Sequence, residues 1–159
     1  MNINVRNEAE EFVQNLVGKS LKYGQKFGDT ELYDLGFGPE REIEFWDGEK
    51  RILPEYILHI ICDFDIVWRN GINRVDEYDG NTPGDEFATD IKKLIGLDVL
   101  KVELREENDL WIDFGNYWMV IFTEENDEES WRLFTPGEQG IHLVASAIEL
   151  DLQKDDYNE

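Results

Sequence analysis

Apolar residues alternate with polar ones, or form short unbroken runs, over most of this chain, and the pattern is sharpest between Leu110 and Phe122. Leu110-Trp111-Ile112-Asp113-Phe114 and Tyr117-Trp118-Met119-Val120-Ile121-Phe122 flank Gly115-Asn116, a glycine-first pair suited to the type II′ turn of a two-residue hairpin. That turn sets Phe114 opposite Tyr117, Ile112 opposite Met119 and Leu110 opposite Ile121, leaving one face wholly apolar. Trp111, Trp118, Val120 and Phe122 share the other face with Asp113, so the second strand is expected to lie centrally in a sheet with something packed on each side.

The same reading places the remaining elements. Asn7 with Glu10 predicts the start of a short amphipathic helix carrying Ala9, Phe12, Val13, Leu16 and Val17, stopped by Gly18. Extended runs follow at Leu21 to Phe27 and Leu32 to Phe37. Arg41 to Trp46 and Glu49 to Leu53 flank Asp47-Gly48, a type I′ signal that sets Glu44 opposite Arg51 and Ile43 opposite Ile52. Tyr56 to Arg69 is long for one strand, and Asp63 and Asp65 within it predict a bulge, a bend or a polar face. Asn70-Gly71 then turns the chain, bringing Val67 near Arg74 and Ile66 near Val75. A second helix is expected to be capped by Thr82, with Pro83 at its first position and Phe87, Ile91, Leu94 and Ile95 along one side, and to stop at Gly96. Val99 to Leu104, Trp131 to Phe134 and Ile141 to Leu152 complete the set of extended segments. The class is α+β, a mainly antiparallel sheet with two short helices.

There is an internal echo in this order. Leu16-Val17-Gly18 ends the first helix as Leu94-Ile95-Gly96 ends the second, with Lys22 and Lys101 soon after. Leu32-Tyr33-Asp34-Leu35-Gly36 is similar to Trp111-Ile112-Asp113-Phe114-Gly115, and Ile57 to Ile61 to Ile141 to Ala145. The matches describe a tandem unit of one helix and several strands, residues 7–75 and 84–152, packed as a single domain over 1–159; chance matching of strand patterns is the alternative.

Charge changes the picture more than length does. Among 159 residues, 37 are acidic and 15 are Lys or Arg, a formal net charge of −22. Nucleic acid and anionic membrane surfaces are therefore expected to be repelled and a cationic partner attracted. The five Trp and 13% aromatic content argue for a folded chain rather than an acidic tail. Cys62 is the one cysteine, so no internal disulfide forms, and neither a leader pattern nor a bilayer-length apolar run is present. A cytoplasmic protein is the expectation.

Candidate chemistry is sparse. His59, Cys62, Asp63 and Asp65 have ligand atoms, but strand alternation turns Cys62 away from the others. Glu77, Asp79, Gly80 and Glu86 fit four places of a calcium loop whose first place would be Val75, which has no ligating group. Cys62 sits between Ile60, Ile61 and Phe64 and reads as core. No catalytic, cofactor or metal site is expected, and the protein is read as a non-enzyme. The run Glu124-Glu125-Asn126-Asp127-Glu128-Glu129 is either a solvated loop or an acidic recognition surface.

In layout and composition the chain resembles the immunity-type proteins of bacterial polymorphic toxin systems, small acidic Trp-rich α+β domains without catalytic motifs. The nearest local features are Leu58-His59-Ile60-Ile61-Cys62, Ile66-Val67-Trp68-Arg69, Trp131-Arg132-Leu133-Phe134 and His142-Leu143-Val144. The resemblance implies stoichiometric inhibition, an acidic surface covering the basic face of a toxin, often a nuclease. The expected contacts are Trp46, Glu124, Glu125, Asp127, Glu128, Glu129 and Trp131. The alternative is a small-molecule-binding or enzymatic domain with a pocket between the halves lined by His59, Asp63 and Asp65.

Overall fold

A computed structural model describes residues 3–69, 74–126, 128–137 and 140–154. Helix α1 (Ile3–Val13) is followed by strands β1 (Leu21–Lys26), β2 (Tyr33–Phe37), β3 (Arg41–Glu44), β4 (Lys50–Leu53), β5 (Tyr56–Ile60), β6 (Phe64–Trp68) and β7 (Arg74–Tyr78). Then come helix α2 (Gly84–Ile91) and strands β8 (Lys101–Leu104), β9 (Leu110–Asp113), β10 (Tyr117–Ile121), β11 (Trp131–Phe134), β12 (Ile141–Ala145) and β13 (Leu150–Lys154). The class is α+β and mostly antiparallel sheet.

Two sheets carry the fold. Sheet A has the order β1-β2-β5-β11-β12-β13 and sheet B the order β7-β6-β10-β9-β8, while β3 and β4 form a separate hairpin. One buried cluster takes side chains from both sheets and both helices. Tyr33 on sheet A meets Phe64 on sheet B edge to face at 4.7 Å and Phe87 on α2 at 4.8 Å, the geometry aromatic rings prefer.

The opening hairpin forms with the expected register: Ile112 pairs with Met119, Leu110 with Ile121, and the Phe114 amide donates to the Tyr117 carbonyl. Gly115 alone in the turn has a positive φ, +95°, as a type II′ turn requires of its first central residue. Strand β10 is the middle strand of sheet B; on its outer side Val120 is buried and the Arg69 guanidinium lies over Trp118, while Arg105 stacks on Trp111 of the neighbouring β9.

Several boundaries differ from expectation. Helix α1 begins at Ile3, so Asn7 lies inside it rather than at its cap. The α2 cap position is Pro83, and the Thr82 hydroxyl accepts from the Asp79 amide instead of capping. The Asp47-Gly48 turn is one residue longer than a type I′ turn: the Phe45 carbonyl accepts from Gly48, whose φ is +84°, and Glu42 pairs with Ile52, Ile43 with Arg51. That is the three-residue loop in which a left-handed glycine closes a type I turn, and it puts Trp46 at the tip. The Asn70-Gly71 turn lies outside the described residues; the flanking strands pair Val67 with Val75 and Trp68 with Arg74, one place from the expected register. The run from Tyr56 to Arg69 is two strands, and at Ile61 to Asp63 the chain leaves sheet A for sheet B. Ile141 to Leu152 is likewise a hairpin, turning through Ser146 and Glu149 without the Gly or Pro that would have marked it.

Strand order repeats between the halves. β1, β2 and β5 are neighbours in sheet A as β8, β9 and β10 are in sheet B; each half then crosses over and adds its next two strands, β6-β7 or β11-β12, beside the opposite trio. The first stretch also contains the β3–β4 hairpin and the second also contains β13, neither of which has a counterpart. The segments after the helices, each opened by a left-handed glycine (Gly18, φ +86°; Gly96, φ +90°), pair antiparallel about a bridge between Ser20 and Asp98. The crossovers also bond to each other, Phe122 amide to Asp63 carbonyl and Ile61 amide to Ser130 carbonyl. Of the sequence echoes, Leu32–Gly36 with Trp111–Gly115 falls on the corresponding strands β2 and β9. Ile57 to Ile61 and Ile141 to Ala145 fall on β5 and β12, which do not correspond, so that match is general strand patterning.

Candidate partner-binding face

Alternation along sheet B sends Phe64, Ile66, Ile112, Met119 and Ile121 into the core and the intervening residues outward. Register then places the outward residues in rows. Val75, Val67, Trp118, Asp113 and Lys101 stand side by side across the sheet, and the next row is Glu77, Asp65, Val120, Trp111 and Glu103. The middle of this face is an apolar stripe in which Val67, Trp118 and Trp111 are half-buried and Val120 is only 3% exposed, extended by Phe122, which is 39% exposed.

Cations stack on the stripe. Arg69 lies 3.9 Å above the Trp118 ring and Arg105 3.5 Å above Trp111, the latter held by hydrogen bonds to Glu103. Two tryptophans with arginines on their faces are the residue types that dominate binding energy at protein interfaces.

One side of the stripe is acidic without compensation. Asp65 and Glu77 are direct cross-strand neighbours, an arrangement of like charges that weakens a sheet. Asp63, Asp79 and Glu31 lie close by, and among the described residues none of these five pairs with Lys or Arg. Burial, then Asp79, Glu124, Glu31 and Glu77, hold the Asp63 carboxyl above its ordinary range; burial, then Glu77 and Asp63, do the same to Asp65. A carboxyl raised in the folded state binds its proton more tightly there than in the unfolded chain, so its contribution to stability declines as pH rises through the carboxylate range. Asp65→Asn is therefore expected to stabilise the protein at pH 7 by ~0.5 kcal/mol. In urea titrations the gain should vanish below the ordinary Asp value of 3.8.

The acidic loop begins beside these acids. It forms the crossover from β10 to β11, and its first acid, Glu124, acts electrostatically on Asp63 across the paired crossovers. Glu124, Glu125 and Glu128 are exposed, and Asp127 lies outside the described residues. Glu129 is half-buried and bound to Arg132 at 2.7 Å.

The two aromatic expectations separate. Trp46 is 86% exposed at the tip of the β3–β4 hairpin, but that hairpin leaves sheet A at the Phe37 and Tyr56 end, where Phe134 finishes β11, while the acidic loop enters at Trp131, the opposite end. Trp131 is a correction. It has no exposed surface; its ring fills the core and its Nε1 donates to the Asn108 carbonyl at 2.9 Å. Alternation on β11 turns Trp131 and Leu133 inward, so an acidic run preceding a tryptophan did not make that tryptophan a surface residue.

The pocket expected around His59, Asp63 and Asp65 is not assembled. His59 lies on the outer face of sheet A, beside Asp34 at 3.3 Å and edge-on to Phe134, whereas Asp65 lies on the outer face of sheet B. The residue missed in sequence is Asp34, only 5% exposed, which also accepts from the Tyr23 hydroxyl and the Gln25 amide. Burial and that carboxylate push the Tyr23 hydroxyl well above its ordinary value, keeping it a donor. Burial pushes the Cys62 thiol up to about 12, so Ellman's reagent at pH 8 is expected to leave it unmodified until denaturant is added.

Among the described residues no helix is long and apolar enough to cross a membrane, and no group of three or more His, Cys, Asp or Glu is placed to hold a metal. Comparison with known protein families, with curated proteins and with solved structures finds no match to this chain.

Proposed function

We propose that the protein is a non-catalytic acidic binding protein that sequesters a basic protein partner, in the manner of the immunity proteins its layout resembles. The observation that carries this reading is the outer face of sheet B. An arginine-capped tryptophan stripe lies beside a group of acids without cationic partners, Asp63, Asp65, Glu77 and Asp79, with Glu124 near Asp63 and the exposed Glu125 and Glu128 following in the same loop. The stripe supplies area that a partner would desolvate, and the acids supply attraction that steers a cationic surface onto it. Crowding like charges lowers stability, so the acids on β6 and β7 are better explained by a partner than by folding.

The test is co-purification of the immobilised chain with the product of the adjoining reading frame and with soluble protein from its native cell. A single basic protein bound one to one supports the reading if it is lost with Trp118→Ser or with Asp65→Lys plus Glu77→Lys and kept with Asp151→Lys on sheet A. Failure to capture such a protein, or capture indifferent to the sheet B variants, overturns it.

The tandem origin of residues 7–75 and 84–152 belongs to the same proposal. Repeated strand order and the self-paired segments around Ser20 and Asp98 favour it, with the acidic crossover as the longer of two equivalent connections.

A further inference from the structure

The repeated strand order makes two places on the outer surface comparable. In the second half, Asp113 on β9 points outward between Lys101 on β8 and Trp118 on β10. In the first half, the corresponding Asp34 on β2 stands between Gln25 on β1 and His59 on β5. A small pocket lined by Lys101, Glu103, Arg105, Trp111, Asp113 and Trp118 marks the first place, and a larger cleft of about 350 Å³ marks the second. Tyr23, Gln25, Asp34 and Glu40 form the polar side of that cleft, and Ile52, Leu53 and Pro54, the end of the hairpin arm, form its apolar side.

The two places differ in charge. The second half brings its own cations, with Lys101 directly cross-strand from Asp113 and paired with Glu103 at 2.7 Å, and with Arg105 stacked over Trp111 and also paired with Glu103. In the first half the cross-strand place is taken by Gln25, and among the described residues no Lys or Arg pairs with Asp34 or Glu40. A buried carboxylate needs its acceptor positions filled and its charge balanced. Asp34 accepts from Tyr23 at 3.2 Å and meets His59 at 3.3 Å on Oδ1, and accepts from Gln25 at 3.0 Å on Oδ2. A carboxylate has about four acceptor positions, so one on Oδ2 is open.

We infer that this cleft binds an alkyl cation, its guanidinium or ammonium head against Asp34 and Glu40 and its stem along Ile52, Leu53 and Pro54. The volume lies in the range of small-ligand sites, and the open acceptor beside a second carboxylate suits a head with several N–H donors. The site is on sheet A, so it stands or falls separately from the partner face on sheet B.

The experiment is an NMR titration of the full chain at fixed ionic strength with n-butylguanidinium, n-butylammonium, the neutral n-butylurea and a glycine-flanked arginine pentapeptide. The expected result is that at least one alkylguanidinium or alkylammonium shifts the amides of Tyr23, Gln25 and Leu53 with an affinity about tenfold or more above butylurea. Gln25→Lys, which gives the first half the cross-strand cation that Lys101 gives the second, should abolish the shifts while the fold is kept. Glu8→Gln, an equal charge change on α1, should leave them intact. Shifts from the free alkyl cations identify a small-molecule ligand, and shifts from the pentapeptide alone identify an arginine side chain. Absence of cation binding, equal binding of butylurea, or unchanged binding in Gln25→Lys overturns the inference.

Discussion

Trp131→Ala is expected to lower the unfolding free energy by about 3–5 kcal/mol, among the largest effects of any single substitution in this chain. The indole is wholly buried on β11, where its row runs from Ile60 on β5 to Ala145 on β12. Truncation leaves a cavity and also removes the Nε1 donor from the Asn108 carbonyl. Asn108 is itself fully buried in a left-handed conformation, φ +64°, with its side chain donating to the Ser146 carbonyl and accepting from Arg6. Truncating Trp131 thus disturbs a node joining α1, the β8–β9 connection and the β12–β13 turn. Urea unfolding monitored by far-UV circular dichroism measures the effect. A loss below ~0.5 kcal/mol, the range of ordinary surface substitutions, would return Trp131 to the list of contact residues.

The second large effect is on association. Asp65→Lys with Glu77→Lys reverses two neighbouring charges on the outer face of sheet B and reduces the formal net charge from −22 by four units. With a basic partner at low ionic strength, the association rate is expected to fall about 10- to 100-fold, because the reversed pair sits where the steering field is focused. Raising the salt to ~1 M, where the Debye length is only ~3 Å, should bring variant and wild type together. Stopped-flow mixing at several ionic strengths gives both quantities. Equal rates at low salt would remove sheet B from the binding surface, and a difference that persists at high salt would mean that contact geometry rather than charge was changed. The substitution is not expected to unfold the protein, since it relieves a cross-strand repulsion between half-buried and exposed acids.

Much of the candidate face was written in the sequence without being recognisable as a face. Trp111, Trp118, Val120 and Phe122 form an outward apolar set by simple alternation, and alternation is local, so it is legible from the chain alone. Alternation cannot say what covers that set. An element packed over β10 and a pair of stacked arginines make the same demand on the strand's own residues, and the choice depended on Arg69 and Arg105, which reach the rings of Trp118 and Trp111 only once β6 lies beside β10 and β8 beside β9. The same applies to the acids. Asp65 and Glu77 are twelve residues apart in the chain and opposite each other in the sheet, so their repulsion exists only in the paired strands.

Although the helices stop at Val13 and Ile91, short of Gly18 and Gly96 that were expected to end them, the sequence by itself determined the α+β class, the hairpin at Gly115 with its register, the buried Cys62 and a formal net charge of −22. These follow from local backbone preferences, two-residue periodicity and composition, which act over a few residues or over the whole chain at once. Tertiary structure alone decided that Tyr56 to Arg69 divides between two sheets, that Trp131 faces the core while Trp46 faces solvent, and that Glu124 comes near enough to Asp63 to raise its carboxyl. It also decided that Asp34, unremarkable in the chain, becomes a buried carboxylate at the edge of a cleft. Each of these depends on which distant strands become neighbours, and that is settled by the burial of one shared core rather than by any local signal.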